Sequence, residues 1–195
     1  MTQGVKRQEI RFCGAGGQGI ITAAIILAEA AGVYDGWYVC QTQSYGPEAR
    51  GGTCKAEVII SATEIDYPKA SNPDLLLAMN QSSCDAYFAD LKPSGLLVVD
   101  ATLVKKLPTA RVVTIPFTKM ARQDLGNEVV ATIIALGAVG YLCGSVSLEN
   151  LEKALLSRVP QGTEGINLQA LRLGIDTARH YDILSLPKTS REEEE

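Results

Sequence analysis

The glycine cluster Gly14-Ala15-Gly16-Gly17-Gln18-Gly19 stands between an apolar run ending at Gly14 and a nearly wholly apolar run, Ile20 to Ala31. A strand that turns through glycines directly into a helix is the opening unit of an α/β domain, because the turn is too tight for side chains. Gly14, Gly16 and Gly19 fit the G-x-G-x-x-G spacing, in the strand–turn–helix setting where small residues let an anion approach backbone N–H groups at the positive end of the helix. A dinucleotide site also needs an acid about 20 residues further on, at the end of the second strand, to hold the ribose hydroxyls. Asp35 has the distance but precedes that strand, and Gln43 and Ser44 stand at its end. The cluster therefore reads equally well as tight strand–helix packing, and Gly14, Gly16, Gly17, Gln18 and Gly19 are kept as a glycine-rich loop without an assigned ligand.

The rest of the chain continues the pattern. Glu9 to Gly14, Trp37 to Gln43, Lys55 to Ser61, Asp74 to Met79, Leu96 to Asp100 and Val112 to Ile115 read as strands. Helices are expected over Gly19 to Ala31 with Gly32 as its C-terminal glycine, Ser82 to Leu91, and Asn127 to Cys143 with Asn127 as N-cap. Two more are expected over Leu148 to Val159 capped by Ser147, and Glu164 to His180. Strand–helix alternation followed by helices specifies a Rossmann-like α/β fold, a mainly parallel sheet flanked by helices with C-terminal helices added. One domain over residues 1–185 is expected, followed by an acidic, disordered tail over 186–195.

Two helices carry a further message. Ile20 to Ala31 has only Thr22 and Glu29 as polar members, and Val129 to Cys143 only Thr132 and the Tyr141 hydroxyl. A helix apolar all round is buried on most sides. The sheet covers one side; the C-terminal helices or another subunit must cover the other, and a contribution from another subunit is the favoured reading.

Composition excludes several chemistries. A net charge of −4 on 195 residues argues against nucleic acid. The 5 cysteines are scattered with no CxxC element, and there is 1 histidine, so no metal site is expected and a histidine-based triad has little to build on. Polar residues open the chain, no run is long enough for a membrane span, and a reduced, cytoplasmic protein follows. No carboxylate pair or activated nucleophile stands out, so no catalytic residue is assigned to this chain alone. Asp100, ending a strand, reads first as a turn or cap aspartate, and Lys105 and Lys106 as a solvated face.

The connector Gln41 to Gly52 is too elaborate for a plain turn. It holds Ser44, Tyr45, Gly46, Pro47, Glu48, Arg50, Gly51 and Gly52, a set combining charge, an aromatic ring and glycine in the way of loops that touch something. Taken with Gly14 to Gly19, Gln43-Ser44-Tyr45-Gly46-Pro47-Glu48-Ala49-Arg50-Gly51-Gly52 resembles the gamma subunit of 2-oxoacid:ferredoxin oxidoreductases, most nearly the 2-oxoglutarate branch. Glu64-Ile65-Asp66-Tyr67-Pro68 and Asn72-Pro73-Asp74 are similar to that family too, and the resemblance spans residues 9 to 180.

The resemblance implies a subunit of a complex that decarboxylates a 2-oxoacid on thiamine diphosphate with Mg, passes electrons through an iron–sulfur cluster to ferredoxin, and transfers the acyl group to coenzyme A. The cofactors are then expected on alpha and beta partner subunits, with a ferredoxin-like delta subunit a further possible partner. Homo-oligomers are a further expectation for the isolated chain. Two roles stay open for Arg50: pairing with a carboxylate or phosphate of substrate or coenzyme A, or pairing with Glu48 to lock the loop for docking. Tyr45 and Glu48 either hold the loop or touch the partner. The alternatives are the same role in a branched-chain 2-oxoacid or indolepyruvate enzyme, a stand-alone Rossmann oxidoreductase, and a non-enzymatic nucleotide-binding module.

Overall fold

A computed structural model describes residues 7–45 and 53–187. Six strands form one sheet in the order β2-β3-β1-β4-β5-β6. They are β1 (Gln8–Ala15), β2 (Tyr38–Tyr45), β3 (Thr53–Ser61), β4 (Leu75–Ala78), β5 (Leu96–Asp100) and β6 (Val112–Ile115). β1, β4, β5 and β6 are parallel, and the β2–β3 hairpin pairs antiparallel along the free side of β1. The central strands are apolar without alternation, as strands covered on both faces must be.

The two faces are unequal. Ile10, Phe12, Leu75, Leu77 and Val98 point into the main core, shared with α1 (Ile20–Glu29), α3 (Phe117–Gln123), α4 (Ala131–Cys143), α5 (Leu148–Arg158) and α6 (Glu164–Ala178). Cys13, Leu76, Ala78, Leu97 and Val99 face α2 (Gln81–Tyr87) in a smaller core. On that thin side the sheet carries charge: the Arg11 side chain, only 2% exposed, bridges Glu57 at 2.8 Å, Asp90 and the Ala70 carbonyl. The Tyr87 ring lies 5.6 Å from the guanidinium. An arginine this deep is stable only because carboxylates and a carbonyl occupy its donors.

The covering of α4 corrects the sequence expectation. Nearly all of α4 is buried within the chain, and its outer side is met by α6 rather than by another subunit. The approach is backbone to backbone: a Cβ at Gly174 would lie 1.8 Å from the Ile134 carbonyl oxygen, and one at Gly137 would lie 2.0 Å from that of Leu171. α1 differs, since Ile21, Ile25 and Ala28 along it remain half-exposed.

Other corrections are local. Gly32 does not end the first helix; a π-helical turn, Ala30–Tyr34, carries it on to Gly36, which has φ 77. The Ser147 side chain makes no cap bond; its N–H donates to Asp35 Oδ2 at 2.8 Å, and Asn150 holds Oδ1, so Asp35 tethers the start of α5. Asn127 does cap, accepting from Val129 N at 3.1 Å, but over a short 3-10 turn that precedes α4. α3 was not expected. Its first turn is capped from β5, where Asp100 accepts the Thr118 N–H at 3.1 Å and the Thr118 hydroxyl. Asp100 is thus a cap aspartate, as its residue type suggested. Of the tail, Leu186 packs on the core and residues 188–195 lie outside the described part.

Gly174→Ala should destabilise the chain by about 3 kcal/mol or more, because backbone cannot retreat as a side chain would. Urea unfolding measures this, and a loss under about 1 kcal/mol would show that the helices part freely.

Candidate functional site

The two motifs singled out in the sequence meet at one end of the sheet. In the β1–β3 register Ala15 stands opposite Thr53, and in the β2–β3 register Tyr45 stands opposite Cys54. The glycine loop and both stems of the long connector therefore leave the sheet side by side. Gly46, Pro47, Glu48, Arg50, Gly51 and Gly52 themselves lie outside the described residues. Ser44 and Tyr45 end β2 exposed, Tyr45 by 67%.

The glycine loop is held from within. Ala15 N–H donates to Gln18 Oε1 at 2.7 Å, and the Gln18 N–H returns to the Ala15 carbonyl at 3.2 Å. A Cβ at Gly14 would press to 2.6 Å from Gln18 Oε1, so glycine there leaves Gln18 free to hold the Ala15 N–H, and Gly19 takes the left-handed φ of 81 that starts α1. Gly16 has open space around it. From the other side the Thr132 hydroxyl of α4 donates to the Gln18 carbonyl.

Between the loop and the α3–α4 connection lies an open cleft of about 410 Å³ lined by Gly17, Gln18, Gly19, Thr118, Glu128 and Thr132, among others. The first turn of α1 holds no acid and no side-chain cap, so its N–H groups give that wall a positive sense. Glu128 on the opposite wall is bound to Arg122 at 2.6 Å, and this hydrogen bond holds its carboxyl below the usual range.

This is not dinucleotide geometry. In that arrangement the second strand lies parallel beside the first and brings its acid to the cleft. Here antiparallel β3 takes that place, so Thr53, the start of a strand, stands beside the loop. Asp35 is spent on α5.

Nor do the described residues offer a metal or cluster site: no three His, Cys, Asp or Glu side chains converge among them. Cys13, Cys54, Cys84 and Cys143 are buried, and burial pushes every one of these thiols up, Cys84 and Cys143 to about 11. They do not fit an iron–sulfur cluster, whose ligands are thiolates. No described helix is long and apolar enough to cross a membrane. His180 is exposed at the end of α6, its Nδ1 2.9 Å from the Asp176 carbonyl oxygen.

Sequence reasoning passed over the support for the connector. The Tyr87 hydroxyl donates to Thr53 Oγ1 at 3.4 Å, and Lys55 lies over the same ring while binding Glu57 at 3.0 Å. Charged Arg11 and Glu57 within apolar strands were the available signal.

A family profile described as pyruvate ferredoxin/flavodoxin oxidoreductase matches residues 9–177. The chain belongs to this family. Its relatives in the pyruvate ferredoxin/flavodoxin oxidoreductase family include the 2-oxoglutarate synthase subunit KorC of Methanocaldococcus jannaschii, 48% identical over 89% of this chain and 95% of that one. The ketoisovalerate oxidoreductase subunit VorA of Methanothermobacter thermautotrophicus is 32% identical over 87% of this chain but only 36% of its own length. Among solved structures, the gamma subunit of a keto/oxoacid ferredoxin oxidoreductase from Geobacter sulfurreducens superposes with a TM-score of 0.83 at 48% identity, covering 90% of this chain and 98% of that one. The resemblance to gamma subunits carried by the two glycine motifs is borne out.

Two outcomes check the site. Arg11→Ala should cost up to about 3–5 kcal/mol in urea unfolding, since it empties a buried site and leaves the Glu57 carboxylate with only Lys55 and Thr42; Arg11→Met with Glu57→Leu should recover much of it. At pH 8, iodoacetamide should label half-exposed Cys40 in the folded chain and the other four thiols only in denaturant. Rapid native labelling at Cys13 or Cys84, read by peptide mass mapping, would contradict the closed core under α2.

Proposed function

We propose that this chain is the gamma subunit of a cytoplasmic 2-oxoglutarate:ferredoxin oxidoreductase. The observation that carries the reading is the 48% identity to a KorC subunit across nearly the whole of both chains. It favours the 2-oxoglutarate branch over the branched-chain one, whose VorA subunit is 32% identical. In this reaction the carboxylate carbon leaves as CO2, the remaining acyl group passes to the sulfur of coenzyme A, and an electron pair goes to ferredoxin. Thiamine diphosphate and the clusters belong to partner chains, in keeping with the scattered, buried thiols here.

The part we assign to this chain is support of the shared active-site region. The glycine loop and the connector stems present one surface, and Arg50, within the connector sequence, pairs with a carboxylate or phosphate of substrate or coenzyme A through its planar fork of donors. The open cleft with the acid-free start of α1 gives the same surface a second wall that tolerates negative charge. The chain alone turns nothing over.

Co-expression with the alpha and beta subunits tests the reading: the purified complex should reduce ferredoxin with 2-oxoglutarate and coenzyme A. Arg50→Ala should assemble normally and lose turnover at least about tenfold. Normal turnover, or failed assembly with a folded Arg50→Ala chain, would remove Arg50 from the active-site role.

A further inference from the structure

The end of the sheet that carries the glycine loop and the connector stems is held from both layers, and the two ties have the same form. From the main layer the Thr132 hydroxyl of α4 donates to the Gln18 carbonyl of the glycine loop. From the thin layer the hydroxyl of Tyr87, the last residue of α2, donates to Thr53 Oγ1 at 3.4 Å. Thr53 is the first described residue after the connector, and it stands opposite Ala15 in the β1–β3 register. Among the described residues no other side chain hydrogen-bonds to it.

Tyr87 is not free to turn away. Its ring centroid lies 5.6 Å from the Arg11 guanidinium and 5.6 Å from Lys55 Nζ, within the range where a cation is drawn to an aromatic ring. Arg11 also binds Asp90, so the turn that follows α2 is pinned to β1. Glu57 is the hub of these contacts. Its Oε1 takes Arg11 at 2.8 Å and Lys55 at 3.0 Å, and its Oε2 takes the Thr42 hydroxyl at 3.3 Å. Thr53, Lys55 and Glu57 alternate along β3 and so share one face of the sheet. Thr42 stands opposite Glu57 on β2, in the strand that leads into the connector. One chain of contacts therefore reaches both stems, through Tyr87 to Thr53 on the returning side and through Glu57 to Thr42 on the outgoing side.

Stability does not call for the Tyr87 hydroxyl. A buried ion pair often does no better than apolar side chains of the same size, and its attested use is to fix one arrangement over others. The ring would pack against both cations equally well as phenylalanine. What the hydroxyl adds is direction, because it sets where α2 holds the end of β3 against the glycine loop. We infer, on the basis of the role proposed above for this chain, that Tyr87 is a positioning residue for the shared active-site surface. Braced by Arg11 and Lys55, its hydroxyl fixes the end of β3 beside the glycine loop. It acts through Thr53 rather than on substrate, since its one hydroxyl proton is spent on β3.

The co-expressed complex tests this with variants that leave every charge in place. Tyr87→Phe keeps the ring beside Arg11 and Lys55, and should keep the wild-type unfolding midpoint and assemble normally. Its kcat should fall about threefold to tenfold, the scale of one net hydrogen bond, with KM for 2-oxoglutarate and coenzyme A unchanged. Thr53→Val should cause the same fall. Tyr87→Phe with Thr53→Val should lose no more than either alone, because both remove one contact. Wild-type kcat in Tyr87→Phe, or losses that multiply in the double variant, overturns the positioning role and leaves the proposed function standing. A Tyr87→Phe chain that unfolds early or fails to assemble also overturns it, and makes the hydroxyl a structural tie. A wild-type complex that reduces no ferredoxin with 2-oxoglutarate removes the proposed function, and the positioning role with it.

Discussion

Helix α4 has no polar face, and the main layer of the molecule is arranged to keep water from it. The sheet and α1 cover its inner side, α3 and α5 its flanks, and α6 its outer side through glycine-lined backbone contact. That contact is demanding, because main chain meets main chain at separations where a single methyl group would collide. It also sets the position of the candidate site. With α4 fixed, Thr132 reaches the Gln18 carbonyl and holds the glycine loop from the side opposite to β1. The cleft is what remains between the loop and the α3–α4 connection.

The cost of gathering five helices on one face is a thin second face. Among the described residues α2 with its short continuation, joined by the connections holding Ala70 and Val104, covers it, and the sheet beneath carries Arg11, Glu57 and Lys55 instead of a wide apolar floor. With Asp90 these charges neutralise one another, and the Tyr87 ring closes over Arg11 and Lys55. Because Tyr87 also binds Thr53, the polar cluster steadies the returning stem of the connector. Core stability and loop placement are thus coupled on this face through one aromatic side chain.

Much of this was legible in the chain. Strands over 96–100 and 112–115 were read to the residue, since short apolar runs between turns have sharp ends. The helix at 117–123 was missed because its cap, Asp100, comes from a distant strand and leaves no local signature. Ser147 looked like a cap by residue type, but the polar group that serves the start of α5 is Asp35, more than a hundred residues earlier. The glycine loop was visible from its spacing; the role of Gln18 as its internal brace was not, because that bond depends on the turn already being formed.

By itself the sequence determined the α/β class, the near-total burial of 131–143, the scattering of thiols that cannot hold a cluster, and the family, because each rests on residue type, order and spacing along the chain. Tertiary structure alone decided the rest: that β3 takes the place beside β1 where a dinucleotide fold sets its second strand, that α6 covers the outer side of α4, and that β2 ends the sheet among the described residues. The physical reason is common to all three. Which strand pairs with which, and which apolar faces meet, is settled by contacts between residues far apart in the chain, and no local pattern records them.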